Sequence, residues 1–387
     1  MISFFCLEFP ASDAKNTYSP AQKMKSKSAV IEKFGEGPVV REFDIASLKK
    51  GEVLVRIESA GVCGSDLHIF RGEDPRIKLP MIPGHEGIGR IADIKGAAVD
   101  VTGEKISEGD RIIWDRGIVC GRCVYCTVYK KPYLCENRRT YGITFSVGDE
   151  PFPNGCYSEY IKLSPETGMV RITGSISPDA LVPVSCSGAT SFHAVEEAGL
   201  NGMESVLIQG PGPMGMFTAL FCREKEIKTI IMTGSSSSGD RIKLAREFGV
   251  THVIYRDRLT LKEQVEAVRE ITGGRGTDAV FEMAGTAKAV ETGQYFVGKG
   301  GTYVIAGVAV PVGKVGIEVY ENLVRKNVAF KGVWVSDTSH LRKALQIIEK
   351  GGYPFEKIIS RRFTLDRARD AIESVADRGV LKAVINP

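Results

Sequence analysis

The sequence predicts an α/β protein in which a β-rich unit comes before a doubly wound, mainly parallel sheet. From residue 24 to residue 187, short apolar stretches alternate with period two between glycine, proline and aspartate residues, which is typical of half-buried strands. After residue 188, strand-like and helix-like stretches alternate regularly, which is typical of βαβ units. A chain of 387 residues has room for about two such domains.

The patterned sequence divides into three parts after an unpatterned start. Residues 1–23 are predicted to be a disordered extension or to precede the physiological start at Met24, because the periodic pattern begins only there. Residues 24–187 form the predicted β-rich domain, and residues 188–333 form the parallel-sheet domain. Since the second domain is then complete, residues 334–387 are expected to return to the first domain.

The individual elements follow from the same patterns. In the first domain, residues 52–57 and 110–114 are predicted strands because their apolar residues alternate. In the second domain, the predicted strands are 205–209, 229–233, 252–255, 279–284 and 302–306, and the predicted helices are 188–199, 214–222, 240–248, 259–271 and 286–296. The C-terminal part holds predicted helices at 341–350 and 365–376 and a last strand at 382–385.

The composition favours a small-molecule partner. The 51 basic and 47 acidic residues are scattered and leave a formal net charge of +4, which argues against a nucleic-acid or membrane surface. No run approaches the ~20 apolar residues of a transmembrane helix, and the first residues lack the basic start of a secretory signal. Nine cysteines in a chain of this size fit metal binding in a reducing cytoplasm better than disulfides. We therefore expect a cytoplasmic protein.

A glycine-rich turn joins the predicted strand 205–209 to the next predicted helix. It reads, in order, Gly210-Pro211-Gly212-Pro213-Met214-Gly215. Glycines in this place let the backbone approach a pyrophosphate, while the helix N-terminus supplies amide donors and partial positive charge. The turn therefore predicts a dinucleotide site. The alternative is an ordinary surface turn rich in glycine and proline.

The residues about 20 positions further on bear on which dinucleotide binds. Sites that prefer NAD usually place a carboxylate at the end of the second strand, where it accepts a hydrogen bond from the ribose 2′-hydroxyl. Residues 232–241 have no carboxylate at the strand end, but they hold serines, including Ser235 and Ser236, followed by Arg241. Hydroxyls and a guanidinium complement a 2′-phosphate, so NADP is slightly favoured over NAD. The alternative is a flexible loop in which Asp240 caps the next helix.

Thiol, hydroxyl, carboxylate and imidazole groups crowd into the segment from Cys63 to His68. A second imidazole, His85, follows beside Glu86. Cysteine and histidine suit zinc, and a catalytic zinc needs three protein ligands with the fourth position open. Cys63 and His85 supply two candidates, although a cysteine taken alone is more often a core residue. The remaining histidines have no partners in the sequence and are expected to be structural: His193, His252 and His340.

Four cysteines separated by gaps of two, two and eight residues form a second candidate metal site: Cys120, Cys123, Cys126 and Cys135. Four thiolates are a closed tetrahedral set, which is typical of a structural zinc. Nearby basic residues are expected to offset the excess negative charge: Arg122, Lys130, Lys131, Arg138 and Arg139. The alternative is a redox-active dithiol cluster.

The segment around Cys63, the Gly-His-Glu-Gly sequence around His85, the cysteine cluster and the glycine-rich turn occur in an order that resembles the zinc-dependent medium-chain alcohol dehydrogenases. The resemblance covers residues 24–387 and implies a GroES-like catalytic domain, with a structural zinc lobe at residues 117–140, and a Rossmann domain. It also implies that Cys186 is the third ligand of the catalytic zinc, so that each chain holds two zinc ions. The last gap in the cysteine cluster is one residue longer than this family usually has.

The resemblance also implies roles for the residues around the catalytic zinc. Ser65 and His68 are expected to relay a proton from the bound alcohol to solvent. Asp66 is expected to orient His85. Glu86 either lies behind the metal or enters its coordination. A homodimer or homotetramer is expected, because relatives of this kind form one or the other.

The resulting prediction is an enzyme, an alcohol dehydrogenase that uses zinc and transfers hydride between NAD(P) and a secondary alcohol, a polyol or a sugar derivative. The hydrophilic residues 71–76 follow the relay and favour a polar substrate if they face the cleft, although a solvated loop is the alternative. Two other functions stay open. One is a zinc-free quinone or enoyl reductase of the same superfamily, and the other is a non-catalytic protein that keeps the fold.

Overall fold

The computed structural model describes residues 24–377 and 379–387. The predicted disordered extension, residues 1–23, lies outside the described residues. The strands, in chain order, are β1 (Lys25–Val30), β2 (Val39–Asp44), β3 (Val53–Val62), β4 (Glu86–Ile94), β5 (Ala98–Val99), β6 (Lys105–Ile106), β7 (Arg111–Trp114), β8 (Gly117–Ile118), β9 (Arg139–Thr140), β10 (Tyr160–Leu163), β11 (Met169–Arg171), β12 (Ser205–Gln209), β13 (Thr229–Gly234), β14 (His252–Tyr255), β15 (Thr277–Glu282), β16 (Val297–Ile305), β17 (Ala329–Gly332), β18 (Ile359–Phe363) and β19 (Lys382–Ile385). The α-helices are α1 (Gly64–Phe70), α2 (Val124–Thr127), α3 (Pro178–Leu181), α4 (Ser187–Ala198), α5 (Pro213–Glu224), α6 (Gly239–Glu247), α7 (Leu261–Ile271), α8 (Ala287–Gly293), α9 (Thr338–Glu349) and α10 (Ala368–Ser374).

A seven-stranded sheet forms the β-rich part. Its strands follow the order β11-β7-β4-β3-β19-β18, and β10 pairs with β3 outside this path. Strand β3 is the centre of the sheet, because it pairs antiparallel with β4, β10 and β19. Val53, Val55 and Ile57 on β3 are buried in the core of this sheet, as their alternation in the sequence predicts.

A six-stranded parallel sheet forms the second part, in the order β14-β13-β12-β15-β16-β17. The chain winds outward from β12 to β14, returns to the centre and winds outward again through β15 to β17. Phe217 of α5 and Leu244 of α6 belong to one core cluster, whereas Val268 of α7 belongs to another. This is a doubly wound sheet, and the predicted α/β fold class is confirmed.

The C-terminal part of the chain divides between the two sheets. Strands β18 and β19 join the seven-stranded sheet, where β19 pairs antiparallel with β3. Helix α9 instead packs against α4, the helix that begins the parallel-sheet part. Leu341 and Leu345 of α9 belong to the same core cluster as Phe217 of α5. Helix α10 also packs with the seven-stranded sheet, through Ala371 and Ile372, while α9 lies against the second part.

One hydrophobic core cluster joins the two sheets. It contains Ile88 and Ile113 from the seven-stranded sheet together with Val206 and Phe281 from the parallel sheet. Close packing of these buried residues holds the two sheets in one relative orientation. Within the described part of the chain, no helix combines the length and apolar composition needed to cross a membrane.

Candidate active site

Four predicted site residues meet in the cleft between the two sheets. The sulfurs of Cys63 and Cys186, a ring nitrogen of His85 and a carboxylate oxygen of Glu86 all lie within 4.8 Å of one another. His85 and Glu86 are buried, and the two cysteines are partly exposed. Both cysteines and His85 line a cavity of about 420 Å³. The structure thus brings together residues that are far apart in the sequence.

Strand pairing explains how Cys63 and His85 meet. Cys63 follows the last residue of β3 and caps the start of α1, while His85 precedes the first residue of β4. Gly61 lies opposite Glu86 in this antiparallel pair, so the end of one strand lies beside the start of the other. A larger residue does not fit at position 61, because a Cβ there would lie 2.0 Å from Glu86 Oε2.

Asp66 holds both of these ligands in place. Its Oδ2 accepts hydrogen bonds from the Cys63 backbone amide at 2.8 Å and from the Tyr157 hydroxyl at 3.1 Å. Its Oδ1 lies 3.3 Å from Nδ1 of His85. Because Nδ1 faces a carboxylate, Nε2 of the same ring remains available as the ligand atom. The structure places Asp66 where the resemblance implies a carboxylate that orients His85.

The two cysteine thiols interact with each other. The hydrogen bond from the Cys186 thiol lowers the pKa of Cys63 well below its usual range. The same hydrogen bond, together with burial, raises the pKa of Cys186. The thiolate form of Cys63 is therefore favoured over that of Cys186, and a cation bound by both sulfurs would favour the second thiolate as well. Two sulfurs and an imidazole around a partly open position are donors that zinc prefers, so these residues fit a zinc ion.

Lys382 is a buried cation that sequence reasoning missed. Its ammonium group lies 2.5 Å from Glu86 Oε2, and both side chains are almost completely buried. Burial raises the pKa of Glu86 to about 7, although Lys382 attracts its ionised form. Lys382 reaches this place because β19 pairs with β3, with Ala383 opposite Val62. The sequence contains no local pattern that marks this lysine.

Ser65 and His68 line the same cavity as the cysteines. The hydroxyl oxygen of Ser65 lies 3.8 Å from the sulfur of Cys63. Nδ1 of His68 lies 2.5 Å from a carboxylate oxygen of Glu73, and about a third of the His68 side chain is exposed. Glu73, which sequence reasoning did not single out, therefore fixes the orientation of the His68 ring.

The glycine-rich turn borders this cavity. Gly210 has a φ of +107°, and a Cβ there would lie 3.1 Å from Ala284. A Cβ on Gly215 would lie 2.0 Å from the Gly210 carbonyl oxygen, so only glycine lets α5 pack this closely on the turn. Open space surrounds Gly212, which begins α5 without a side-chain cap. Pro213, the first residue of α5, has no N–H, so the backbone amides of Met214 and Gly215 are the donors that remain available to a phosphate. Three residues of the turn line the cavity: Gly212, Pro213 and Met214.

Two protein-family models match adjacent parts of the chain. Residues 49–174 match the alcohol dehydrogenase GroES-like domain, and residues 213–350 match the zinc-binding dehydrogenase domain. The 5-exo-hydroxycamphor dehydrogenase of Pseudomonas putida is 32% identical over 340 residues, which cover 87% of this chain and 92% of that protein. The chain belongs to the zinc-dependent medium-chain alcohol dehydrogenase family.

Solved structures agree with this assignment. The crystal structure of an alcohol dehydrogenase from Thermotoga maritima matches with a TM-score of 0.90 and 42% identity, covering 94% of this chain and 100% of that one. A protein from Sinorhizobium meliloti 1021, solved bound to NADP, matches with a TM-score of 0.82 and 29% identity over 94% of this chain and 100% of its own. The family assignment confirms the resemblance. The protein is an enzyme, an NAD(P)-dependent dehydrogenase of alcohols or polyols.

A second cavity of about 420 Å³ opens beside the glycine-rich turn of this dehydrogenase. Ser235 lines it, together with two cations that sequence reasoning missed, Arg256 and Lys288. The hydroxyls of Ser235 and Ser236 donate to the Asp257 carboxylate at 3.2 and 2.5 Å, and they help lower the pKa of Asp257 to about 2. The signal for Arg256 was its position just after β14, at the carboxyl edge of the parallel sheet.

Arg241 lies on the first cavity and not among the described residues that line the second. Its guanidinium donates to the carbonyl oxygen of Val380 at 2.6 Å and to that of Asp377 at 3.4 Å. This placement differs from the expectation that Arg241 acts together with Ser235 and Ser236. The reason is that α6 directs the Arg241 side chain toward the loop before β19.

The four clustered cysteines also meet, with all four sulfurs within 4.8 Å of one another. The sulfurs of Cys120 and Cys135 are 3.5 Å apart. The longer gap before Cys135 contains Lys130, which has a φ of +53°, and a 3₁₀ turn at Pro132–Leu134. The backbone amide of Arg122 lowers the pKa of Cys120 to about 6, so this sulfur is a ready ligand. The set fits a closed tetrahedral zinc site.

Arg138 does not face the cysteine cluster, contrary to expectation. Its guanidinium lies 3.6 Å from Asp115, donates to the carbonyl oxygen of Ser336 at 3.4 Å, and lines the active-site cavity. Arg139, the next residue, lies over the ring of Phe145 instead. Side chains of successive residues in an extended segment point to opposite sides. The side chains of these two neighbouring arginines therefore contact different parts of the protein.

Proposed function

We propose that this enzyme is a zinc-dependent dehydrogenase of secondary alcohols, polyols or sugar derivatives, with two zinc ions per chain. The observation that carries the proposal is the convergence of Cys63, His85 and Cys186 on one partly open position beside the glycine-rich turn. Three protein ligands with an open fourth position are what a catalytic zinc requires. The four clustered cysteines supply the closed set for the second ion.

The residues around the first set then have distinct tasks. Zinc bound there supplies a Lewis acid for the substrate oxygen, and bound nicotinamide supplies the hydride acceptor. Asp66 holds His85 with Nε2 toward the cysteine sulfurs. The ion pair with Lys382 competes for the carboxylate of Glu86, so we place Glu86 behind the ligands in the resting enzyme.

We assign the proton path to Ser65 and His68. The Ser65 hydroxyl lies next to Cys63, where the substrate oxygen is expected. His68 is partly exposed and reaches solvent. Its Nδ1 is engaged by Glu73, so Nε2 is the nitrogen that exchanges the proton.

For the dinucleotide we propose a preference for NADP. Strand β13 ends at Gly234 without a carboxylate, and Arg256 and Lys288 line the cavity there. A similar protein has been solved bound to NADP. The Asp257 carboxylate works against a phosphate at this place, because it is negatively charged and its oxygens already accept the hydrogen bonds of the Ser235 and Ser236 hydroxyls. We expect a higher kcat/KM with NADP than with NAD, and a larger ratio after Asp257→Asn. A clear preference for NAD overturns this assignment.

The domain limits, assembly and location are proposals as well. We propose that residues 24–187 and 334–387 form the catalytic domain and that residues 188–333 form the nucleotide domain, on which α9 of the C-terminal part packs. Strand β17 is at the edge of the parallel sheet, and its outer side has no partner strand among the described residues, so a second copy can pair with it. We therefore propose a homodimer or homotetramer, and light scattering measures the mass of the assembly directly. We also propose that the enzyme is cytoplasmic.

The decisive assay measures NAD(P)H formation with secondary alcohols, polyols and sugar acids, before and after a chelator removes zinc. We expect activity to disappear on chelation and to return with added zinc. Activity that persists at one or fewer zinc ions per chain favours a zinc-free reductase instead. Cofactor binding without turnover of any alcohol favours a non-catalytic protein.

A further inference from the structure

The cavity that holds the candidate zinc ligands is rich in positive charge. Five basic side chains line it: Arg76, Arg116, Arg138, Arg241 and Lys382. Among the described residues that line it, none is an aspartate or a glutamate. The whole chain has 51 basic and 47 acidic residues, so this excess belongs to the cavity and not to the protein as a whole.

Three of the five basic residues already have other tasks. Lys382 pairs with Glu86. Arg241 donates to the loop before β19, beside the dinucleotide turn. Arg116 donates to the Ser185 carbonyl oxygen at 2.8 Å, so it holds the backbone next to Cys186. Arg76 and Arg138 remain to be explained.

Asp74 holds the Arg76 side chain in place, but it engages only part of the guanidinium group. Its Nε and one terminal nitrogen make two hydrogen bonds to Asp74, at 2.9 and 2.6 Å. Its guanidinium also lies 5.1 Å from the ring centroid of Trp334, and a third of the side chain is exposed. A guanidinium has five donors in a fixed fork, so the pair with Asp74 leaves N–H groups of Arg76, a residue that lines the cavity, for a further acceptor.

Arg138 has an unmet donor inside the protein. Its side chain is only 9% exposed, and its buried Nε has no hydrogen-bond partner in the structure. The other nitrogens reach Thr140 at 3.2 Å and the Ser336 carbonyl at 3.4 Å. Burial and the nearby charges of Arg116 and Arg76 lower the pKa of Arg138. The Arg138 side chain nevertheless lines the cavity, and its positive charge favours an anion there.

We propose that the substrate carries an anionic group, either a phosphate ester or a carboxylate, and that Arg138 and Arg76 bind this group. The inference rests on the proposed function and narrows its substrate class to polyol phosphates or polyhydroxy acids. Planar guanidinium groups match the paired oxygens of both anions. The buried carboxylates Asp74 and Asp115 hold the two arginines from behind and do not line the cavity.

Matched substrates test this inference in the zinc-loaded, full-length enzyme with its nicotinamide cofactor. The series is a neutral five- or six-carbon polyol, the same polyol with a terminal phosphate, and the same chain with a terminal carboxylate. Charge-assisted hydrogen bonds predict a kcat/KM about 10- to 100-fold higher for at least one anionic member. The two anionic arms show which group the site takes. Equal or lower kcat/KM for both arms overturns the inference.

Variants locate the effect. Arg138→Gln and Arg76→Gln are each expected to reduce the ratio of anionic to neutral kcat/KM by about tenfold, mainly through KM. Arg139→Gln is the matched control, because Arg139 is adjacent in sequence but lies over Phe145, and its ratio is expected to stay at the wild-type value. Arg138 is buried and Arg76 is partly exposed, so Arg76→Gln keeps the test valid if Arg138→Gln unfolds. An unchanged ratio in a folded Arg76→Gln overturns the inference.

Calorimetric binding of the same compounds separates this inference from the proposed function. If neutral alcohols are oxidised with zinc and anionic ones bind no more tightly, the inference fails and the proposed function stands. If anionic compounds bind in an Arg76-dependent manner but no alcohol is oxidised, the proposed function fails and the anion site stands.

Discussion

The four-cysteine site and the Cys63–His85–Cys186 site draw their ligands from the chain in opposite ways. The cysteine cluster lies within residues 120–135, on a lobe (residues 117–140) whose regular structure is the two-residue strands β8 and β9, the four-residue helix α2 and a three-residue 3₁₀ turn. Most of its sulfurs are partly exposed. The other site takes its ligands from the end of β3, the start of β4 and the start of α4, at the junction of two large sheets.

This difference separates stability from chemistry. The lobe has little packing of its own, so a metal among its cysteines replaces the hydrophobic core that it lacks. The positions of Cys63, His85 and Cys186 are set by strand register and core packing, which persist without a ligand. Loss of a metal-binding side chain from the four-cysteine site is therefore expected to lower the stability of the protein. Loss of one from the Cys63–His85–Cys186 site is expected to lower the catalytic activity.

Cys63→Ala gives the largest expected effect and tests the chemical side of the comparison. Losing a Lewis acid removes several kcal/mol of transition-state stabilisation, so kcat/KM falls about 10³-fold or more. The melting temperature is expected to change by only a few degrees, roughly what about 1 kcal/mol produces in a protein of this size. Steady-state kinetics and thermal denaturation measure both. Cys222→Ala, a buried cysteine of α5, is the control that keeps activity.

Cys135→Ser tests the stability side. Loss of a structural metal is among the large destabilising changes, so the melting temperature is expected to fall by about 10 °C. The kcat/KM of the protein that remains folded is expected to stay within about threefold of wild type, because Cys135 does not line the active-site cavity. A loss of kcat/KM as large as that of Cys63→Ala, without a change in melting temperature, contradicts the comparison.

Asp66→Asn is an intermediate case, because the substitution keeps the shape and removes the charge that faces His85. Outer partners of metal ligands usually contribute 10- to 100-fold, so zinc affinity and kcat/KM are expected to fall by about that factor. Tyr157→Phe removes one hydrogen bond to the same carboxylate and is expected to have a smaller effect. Zinc titration with a competing chelator measures both variants. If Asp66→Asn binds zinc with wild-type affinity, Asp66 does not orient His85 as we infer.

A histidine pair connects the two regions. His193 and His340 were expected to be structural residues without partners, but their rings lie 4.3 Å apart, and the His193 ring lies 4.3 Å from that of Tyr133 on the cysteine lobe. Nδ1 of His193 donates to the Val335 carbonyl oxygen at 2.8 Å. The titratable groups facing His193 are Tyr133, Glu197, Asp337 and His340. Burial, assisted by His340, lowers the pKa of His193.

The smallest expected effect follows from this depressed pKa. Below pH 6.5 the unfolded chain protonates His193 while the folded protein resists it, so the free energy of unfolding falls as the pH drops. One such group contributes a slope of at most about 1.4 kcal/mol per pH unit. His193→Gln is expected to flatten the decline between pH 6.5 and 5.5 in denaturant titrations. If the free energy of unfolding of His193→Gln depends on pH as steeply as that of the wild type, His193 does not contribute to the decline.

Local sequence patterns predicted the structural features that depend mainly on residues close together in the chain. Alternation in residues 52–57 predicted a half-buried strand, and the glycine-rich turn predicted a junction between the strand at 205–209 and the next helix. The spacing of the four cysteines predicted their cluster, although its longer last gap needed Lys130 and the following turn to close.

Long-range pairing explains what the sequence could not predict. Lys382 reaches Glu86 only because β19 pairs with β3. Arg138 was expected beside the cysteine sulfurs, yet a single step along the chain directs it into the active-site cavity. Arg241 was expected beside the serines, and the direction of α6 takes it elsewhere. In each case a contact distant in sequence determines where a charged side chain lies.

The most direct test of the central claim is an anomalous difference map from a crystal of the zinc-grown enzyme, recorded on both sides of the zinc absorption edge. The account predicts two zinc peaks per chain, one among the four clustered cysteines and one bounded by Cys63, His85 and Cys186. A map with no zinc peak between Cys63, His85 and Cys186, from enzyme that is active in the same preparation, contradicts it.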